Sequence, residues 1–271
     1  MASLNPPPLV LQNIARAKLS FGRDEPLRGL EAFLNGLDLY TPAHLLSKAR
    51  FQVEVLVTEC VQELNREAHI REILAGVTKS PKAAVVYTPG QEEHLKELLG
   101  ILHKALVESN RNKEAAKLEE LETRKKTLIA RGRDHLAKGD AGRGKATLRV
   151  LGDEYGHEPG VLLHIGQWLQ QANLLFEALE FYEAAIHAFP KEAKAYQGAA
   201  HCAMELREAE KAVGIYMLAL KQFGKHPITL LNLAKAHLLA HNRDKAFEFA
   251  LAAHRADPAN AEAKALVDKL A

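Results

Sequence analysis

Residues 161–190 read VLLHIGQWLQQANLLFEALEFYEAAIHAFP, and the spacing of small and apolar residues in this stretch decides the fold. Leu162, Ile165, Gly166 and Leu169 stand at i, i+3, i+4 and i+7, one stripe of an α-helix. Ala178, Tyr182 and Ala185 make the stripe of a second helix. Asn173 lies near the turn between them, and Pro190 stops the second helix. Gly166 and Ala178 lack the bulk that would hold two helix backbones apart, so the pair can pack closely.

The stretch recurs at a fixed interval. Pro190, Gly224 and Pro258 are each 34 residues apart, as are Ala178, Ala212 and Ala246, then Ala185, Ala219 and Ala253, then Gly166, Ala200 and Ala234. Taken together, Leu162-x2-Ile165-Gly166-x2-Leu169, Ala178-x3-Tyr182 and Pro190 resemble the tetratricopeptide repeat, whose unit reads W-x2-L-G-x2-Y, then A-x3-F, then P. The second copy carries Tyr196, Ala200, Ala212, Tyr216, Ala219 and Gly224, departing at Ala199 and Ala203. The third carries Leu230, Leu233, Ala234, Ala246, Ala253 and Pro258, departing at His237 and Ala250. One period earlier, Gly132, Gly144, Leu148, Leu151 and Gly156 form a degenerate unit around the turn Lys138-Gly139-Asp140. Ala263, Leu266, Val267 and Leu270 give the last helix an apolar side, which suits a cap on the open end of a stack. The resemblance implies an all-α fold, a right-handed superhelix of antiparallel helix pairs. It divides the chain into an N-terminal helical region 1–112, a charged helical connector 113–124 and a repeat domain 125–271. Within that domain the units are 125–158, 159–192, 193–226 and 227–260, with a capping helix at 261–271.

Before residue 125 no such period is visible, but helix signals are frequent. One helix is expected over Val10 to Phe21 and another from Asp24-Glu25-Pro26 through Leu39. Thr41-Pro42 reads as a cap followed by proline at the first helical position. Leu45, Leu46, Ala49, Val53, Leu56, Cys60, Val61 and Leu64 then predict one long amphipathic helix running to Leu74. Between Gly76 and Pro89, past Ser80-Pro81, the run Ala84-Val85-Val86-Tyr87 predicts an extended linker, since a lone strand has nothing to pair with. Thr88-Pro89-Gly90-Gln91 has the form of a capping box ahead of Leu95, Leu98, Leu99, Leu102 and Leu106. The charged stretch Lys113 to Lys138 predicts a solvated helix running into the first repeat.

Composition bounds the function. Lys+Arg 36 against Asp+Glu 34 gives a net charge of +2, so no global field draws the chain to nucleic acid or anionic lipid. Only 6% of residues are aromatic, and Ala and Leu dominate the apolar set, which favours helix packing. Cys60 and Cys202 lie far apart, so reduced thiols are expected rather than a disulfide framework. The start of the chain lacks a secretory layout and no apolar run reaches membrane-spanning length; a cytoplasmic protein without membrane insertion is expected.

Three chemical motifs invite attention and fall short. Gly139-Asp140-Ala141-Gly142-Arg143-Gly144-Lys145-Ala146-Thr147 approaches a phosphate loop, but Ala146 stands where magnesium binding needs Ser or Thr, and helix rather than strand precedes it. His237 and His241 stand at i, i+4, yet Leu238 occupies the place of a catalytic glutamate and no third ligand is placed. The basic stretch Arg124, Lys125, Lys126, Arg131, Arg133, Lys138, Arg143, Lys145 and Arg149 could contact phosphates, which frames an RNA-binding or nucleoprotein-associated alternative. It contains no Trp, Tyr or Phe for base stacking. Nothing in the sequence indicates an enzyme, a metal or a cofactor, and a nucleic-acid partner is not favoured.

The resemblance implies instead a concave wall built from the first helix of each pair. By the family's pattern the wall holds Arg133, His164, Gln167, Gln170, Lys194, Gln197, His201, Asn232 and Lys235. These residues are polar and mixed, which suits an extended protein or peptide segment held by side-chain hydrogen bonds. Relatives that clamp chaperone carboxylates use Lys, Asn and Arg at places occupied here by Leu163, Gln167, Gly198, Ile228 and Asn232, so that ligand is disfavoured. The expected function is a non-enzymatic adaptor, with the N-terminal helices offering a second contact or a self-association surface.

Overall fold

The computed structural model describes residues 5–40, 42–80 and 82–271, and among them every regular element is helical. The chain forms two compact units, Met1–Glu119 and Glu120–Ala271. The Thr41 cap and the Pro81 break lie outside the described residues.

The first unit begins with α1 (Pro8–Phe21) and α2 (Pro26–Asp38), each opened by a proline at its start, where the missing N–H costs no helical bond. A 3₁₀ turn, Pro42–His44, precedes α3 (Ser47–Arg66) and α4 (Ala68–Thr78). The single helix expected up to Leu74 is thus two, starting later and broken at Glu67, whose ψ of 124° is extended. Val10, Ile14, Phe33, Leu37, Val57 and Leu64 fill the core of this unit, together with Leu95, Leu99 and Leu106 from α5 (Glu92–Ala137). The linker after α4 has no regular secondary structure, and it is not without a partner. Asn65 accepts from the Val85 N–H at 2.9 Å and donates to the Val85 carbonyl at 2.8 Å, so one side-chain amide stands in for a neighbouring strand. The capping box is corrected: the Gln91 amide donates to the Thr88 carbonyl. It is the Glu92 carboxylate that accepts from the Gly90 N–H and from the Tyr87 hydroxyl, each at 3.0 Å.

α5 is continuous across the boundary between the units, 46 residues in one helix. Its last turns pair with α6 (Ala141–Tyr155): Gly132 and Gly144 face Leu148 and Leu136, where an added Cβ would come within 2.7 and 2.5 Å of the leucine side chains. Then follow α7 (Val161–Gln171) with α8 (Leu175–Ala188), α9 (Ala193–Glu205) with α10 (Ala209–Phe223), and α11 (Pro227–Leu239) with α12 (Arg243–Ala256), closed by α13 (Ala261–Leu270). Each helix packs on its chain neighbours, the pattern of an α-solenoid. The recurrent small residues are the seam. Ala178, Ala212 and Ala246 are fully buried, as are Ala200 and Ala234.

The turn inside each pair repeats to the bond. Gly139, Asn173, Arg207 and His241, 34 residues apart, all have φ between 57° and 77°. The amides of Asp140, Leu174, Glu208 and Asn242 donate to the carbonyls of His135, Leu169, Ala203 and His237, every one at 2.9 Å. This is the Schellman closure of a helix end, which satisfies carbonyls that would otherwise be orphaned.

Tyr182 joins successive pairs. Its ring, 1% exposed, lies against Gly166 of α7 and Gly198 of α9, where an added Cβ would come within 2.9 and 2.4 Å of ring atoms. Gly198→Ala is therefore expected to lower stability by about 1–3 kcal/mol through overpacking. Gly214→Ala, in α10 with nothing within 4 Å of the new Cβ, is expected to raise it by about 0.5–1 kcal/mol. Urea unfolding of the two variants checks the opposite signs.

Candidate functional site

The residues expected on the wall fall into two groups. In the first, Trp168 on α7 is half-buried, with the Arg133 guanidinium 5.5 Å from its ring centroid and the His164 imidazole stacked at 5.9 Å. Arg133, Leu136, Trp168 and Gln171 line a shallow hollow of about 220 Å³ here. Trp168 escaped the sequence reading because it stands one place beyond the wall position Gln167. The signal was its being the single tryptophan of the chain.

Gln170 links this group to the next. The Tyr182 hydroxyl donates to Gln170 Oε1 at 2.6 Å, which leaves the amide nitrogen facing His201 Nδ1 at 3.2 Å. With the amide donating, the imidazole carries its proton on Nε2. The seam tyrosine therefore orients two of the residues expected on the wall.

The second group shares a cleft of about 630 Å³ between α9, α10 and α11. Gln197, His201, Asn232 and Lys235 contribute to its polar lining together with Glu205, His226 and Thr229; Tyr196, Met204, Tyr216, Phe223 and Ile228 contribute most of the apolar part. Tyr196 is held by its hydroxyl donating to the Pro190 carbonyl at 3.1 Å and meets the Phe223 ring edge-on at 5.3 Å. Burial pushes the hydroxyls of Tyr196 and Tyr216 above the ordinary tyrosine range, so both remain neutral. Lys235 pairs with Glu262 of α13 at 2.7 Å, which offsets part of its charge. Phe223 and Ile228 are 44% and 56% exposed, an apolar surface open to a ligand. Gln167 is half-buried on α7, and Lys194 is exposed on the first turn of α9; neither lines this cleft.

The other motifs resolve into structural roles. The phosphate-loop look-alike is the α5–α6 turn, where Asp140 Oδ1 accepts from the Arg143 N–H at 3.1 Å and so occupies the helix N-terminus with a carboxylate. An anion would meet that charge. Of the basic stretch, Arg124 pairs with Glu154, Lys125 with Glu158, Lys138 with Asp134, Arg143 with Asp140, Lys145 with Glu177 and Arg149 with Glu180. Exposed pairs of this kind add little stability, but they offset six of the nine positive charges that a phosphate backbone would meet. The cysteines are free and buried, and burial raises the Cys202 thiol to about 11, a poor nucleophile. His237 is buried and stacks on Phe249 at 5.3 Å, whereas His241 occupies the left-handed turn.

Paired helices with a 34-residue period, small residues in the seam and the same turn in every pair decide the repeat class. It is of tetratricopeptide type. No family model matches the chain, and no curated protein matches it. Among solved structures, the chain is similar to residues 41 to the end of MamA from Desulfovibrio magneticus RS-1, at 13% identity over 54% of this chain and 83% of that one, with a TM-score of 0.43. It is similar to a tetratricopeptide repeat protein from Parabacteroides merdae, at 21% identity over 55% and 60% of the two chains, TM-score 0.44. It is also similar to YrrB, described as a TPR protein with an unusual peptide-binding site, at 18% identity over 45% and 63%, TM-score 0.39.

Burial, followed by the Lys245 charge, holds His237 below the ordinary histidine value of 6.5. As pH falls below that value, the unfolded chain takes up the proton first, so stability is lost there and not above it. The urea midpoint of the natural protein is expected to drop between about pH 7.5 and 5.5 by more than that of His237→Phe, with paired titrations as the check.

Proposed function

We propose that this chain is a non-enzymatic adaptor that holds an extended segment of a protein partner on the wall formed by Arg133, His164, Gln167, Gln170, Lys194, Gln197, His201, Asn232 and Lys235. The observation that carries this reading is the α9–α11 cleft, where an exposed apolar floor, Phe223 and Ile228, lies beside amide and imidazole groups. Such a lining suits a peptide that inserts one bulky apolar side chain and exchanges backbone hydrogen bonds with Gln197 and Asn232. The oriented wall, with Gln170 and His201 set by Tyr182, reduces the ordering cost of binding. The N-terminal unit supplies a second contact or a self-association surface, with Phe51 and Val55 exposed one turn apart on α3.

Among the described residues, no helix is long and apolar enough to cross a membrane. We place the adaptor in the cytoplasm on its two buried reduced thiols. The RNA-binding alternative loses support from the paired charges described above.

Pull-down from the native cell with the natural protein and with Gln167→Ala, His201→Ala and Lys235→Ala combined tests the wall, with partner recovery expected to fall at least about tenfold. Ile228→Asp, at an exposed position, is expected to do the same without unfolding the chain. Unchanged recovery in both variants removes the groove from the account. Binding that falls steeply with salt together with retardation of RNA favours the alternative.

A further inference from the structure

The first unit holds a cluster that the adaptor reading does not use. Asp24, in the turn between α1 and α2, Glu67, at the break between α3 and α4, and His69, in the first turn of α4, each offer one ligand atom, all within 4.8 Å of one another. Glu67 is 7% exposed, and its Oε2 and the Nδ1 of His69 are both buried without a hydrogen-bond partner. Each is a polar atom that folding has removed from water without supplying a hydrogen-bond partner.

The helix break creates this geometry. In a continuous helix, residues at i and i+2 point to different faces. Glu67 is extended, φ −63° and ψ 124°, so its side chain and that of His69 converge. Asp24 reaches the same point because its left-handed backbone, φ 61°, turns the chain between α1 and α2. Three points no farther than 4.8 Å apart have a common centre at most about 2.8 Å from each, so a shift of at most about 0.8 Å per ligand brings all three to zinc-ligand distance, about 2 Å.

We propose that Asp24, Glu67 and His69 bind a divalent transition-metal cation of the Zn²⁺ kind, which ties the α1–α2 turn to the α3–α4 break. The donor set is one imidazole and two carboxylates, and exposed Asp24 leaves a fourth position to water. Calcium takes six to eight oxygen ligands and magnesium a near-octahedral shell of oxygens, so three donors including a nitrogen select against both. The cation supplies the positive charge that the paired carboxylates lack and fixes two loops that are distant in sequence.

Calorimetric titration of the full chain, stripped with chelator, uses Zn²⁺ as the probe with Mg²⁺ and Ca²⁺ in parallel. The expected result is one Zn²⁺ per chain, a rise in unfolding temperature on Zn²⁺ addition, and much weaker heats with the other two ions. Asp24→Asn, Glu67→Gln and His69→Gln are each expected to lower Zn²⁺ affinity at least about tenfold, since even removing an outer-shell partner costs that much. Asn accepts the left-handed backbone, so Asp24→Asn keeps the fold and carries the test if a buried variant does not. His241→Ala, in the α11–α12 turn, is expected to retain full affinity. Absence of stoichiometric Zn²⁺ heat, heat unchanged in Asp24→Asn, loss of affinity in His241→Ala, or equally tight Ca²⁺ binding overturns the proposal.

Discussion

The repeat stack depends on a tyrosine ring occupying space that two glycines leave open. Tyr182 projects from α8 into the seam between α7 and α9, and Gly166 and Gly198 have no side chains to contest it. Dispersion and burial of a large ring hold three helices at one point. Its hydroxyl cannot stay unpaired there, and the partner it finds is Gln170, one of the residues proposed for the wall. The packing core and the proposed wall are therefore parts of one hydrogen-bonded arrangement, in which Tyr182 sets Gln170 and Gln170 sets His201.

The helix turns show the same priority of packing over local preference. A left-handed residue at the helix end suits glycine, and Gly139 meets that preference. Asn173 tolerates it, but Arg207 and His241 adopt the same conformation against the Cβ penalty, which costs on the order of 1 kcal/mol. They do so because the following helix must return antiparallel to bury its alanine stripe, and the Schellman bonds at 2.9 Å recover the orphaned carbonyls. His241 is thus a turn residue and His237 a stacked core residue, two structural roles that sequence spacing alone presents as a pair of ligands.

What could be read in the sequence was what repeats. Small residues at a fixed interval mark a seam because no other arrangement requires Gly and Ala at the same helical phase in successive copies. The residues proposed for the wall came from the resemblance to the tetratricopeptide pattern, and their grouping could not be read from it. Gln197, His201, Asn232 and Lys235 share a cleft because α9, α10 and α11 converge there, while Arg133 and His164 flank Trp168 on an earlier pair. The charges of the basic stretch looked unpaired in sequence because several partners, such as Glu154 for Arg124 and Glu177 for Lys145, are about one period away on other helices. The break at Glu67 left no local mark: glutamate is a good helix former, and neither glycine nor proline punctuates the stretch.

The sequence by itself determined the helical class, the 34-residue period and the identity of the seam residues, because helical phase and side-chain size are local properties that survive in a one-dimensional pattern. The tertiary structure alone decided which side chains meet: Tyr182 with two glycines, Trp168 with Arg133 and His164, and Asp24 with Glu67 and His69. Those meetings depend on where turns and breaks send each helix, and a displacement of a few ångströms there changes a contact without changing the periodic pattern that encodes the helices.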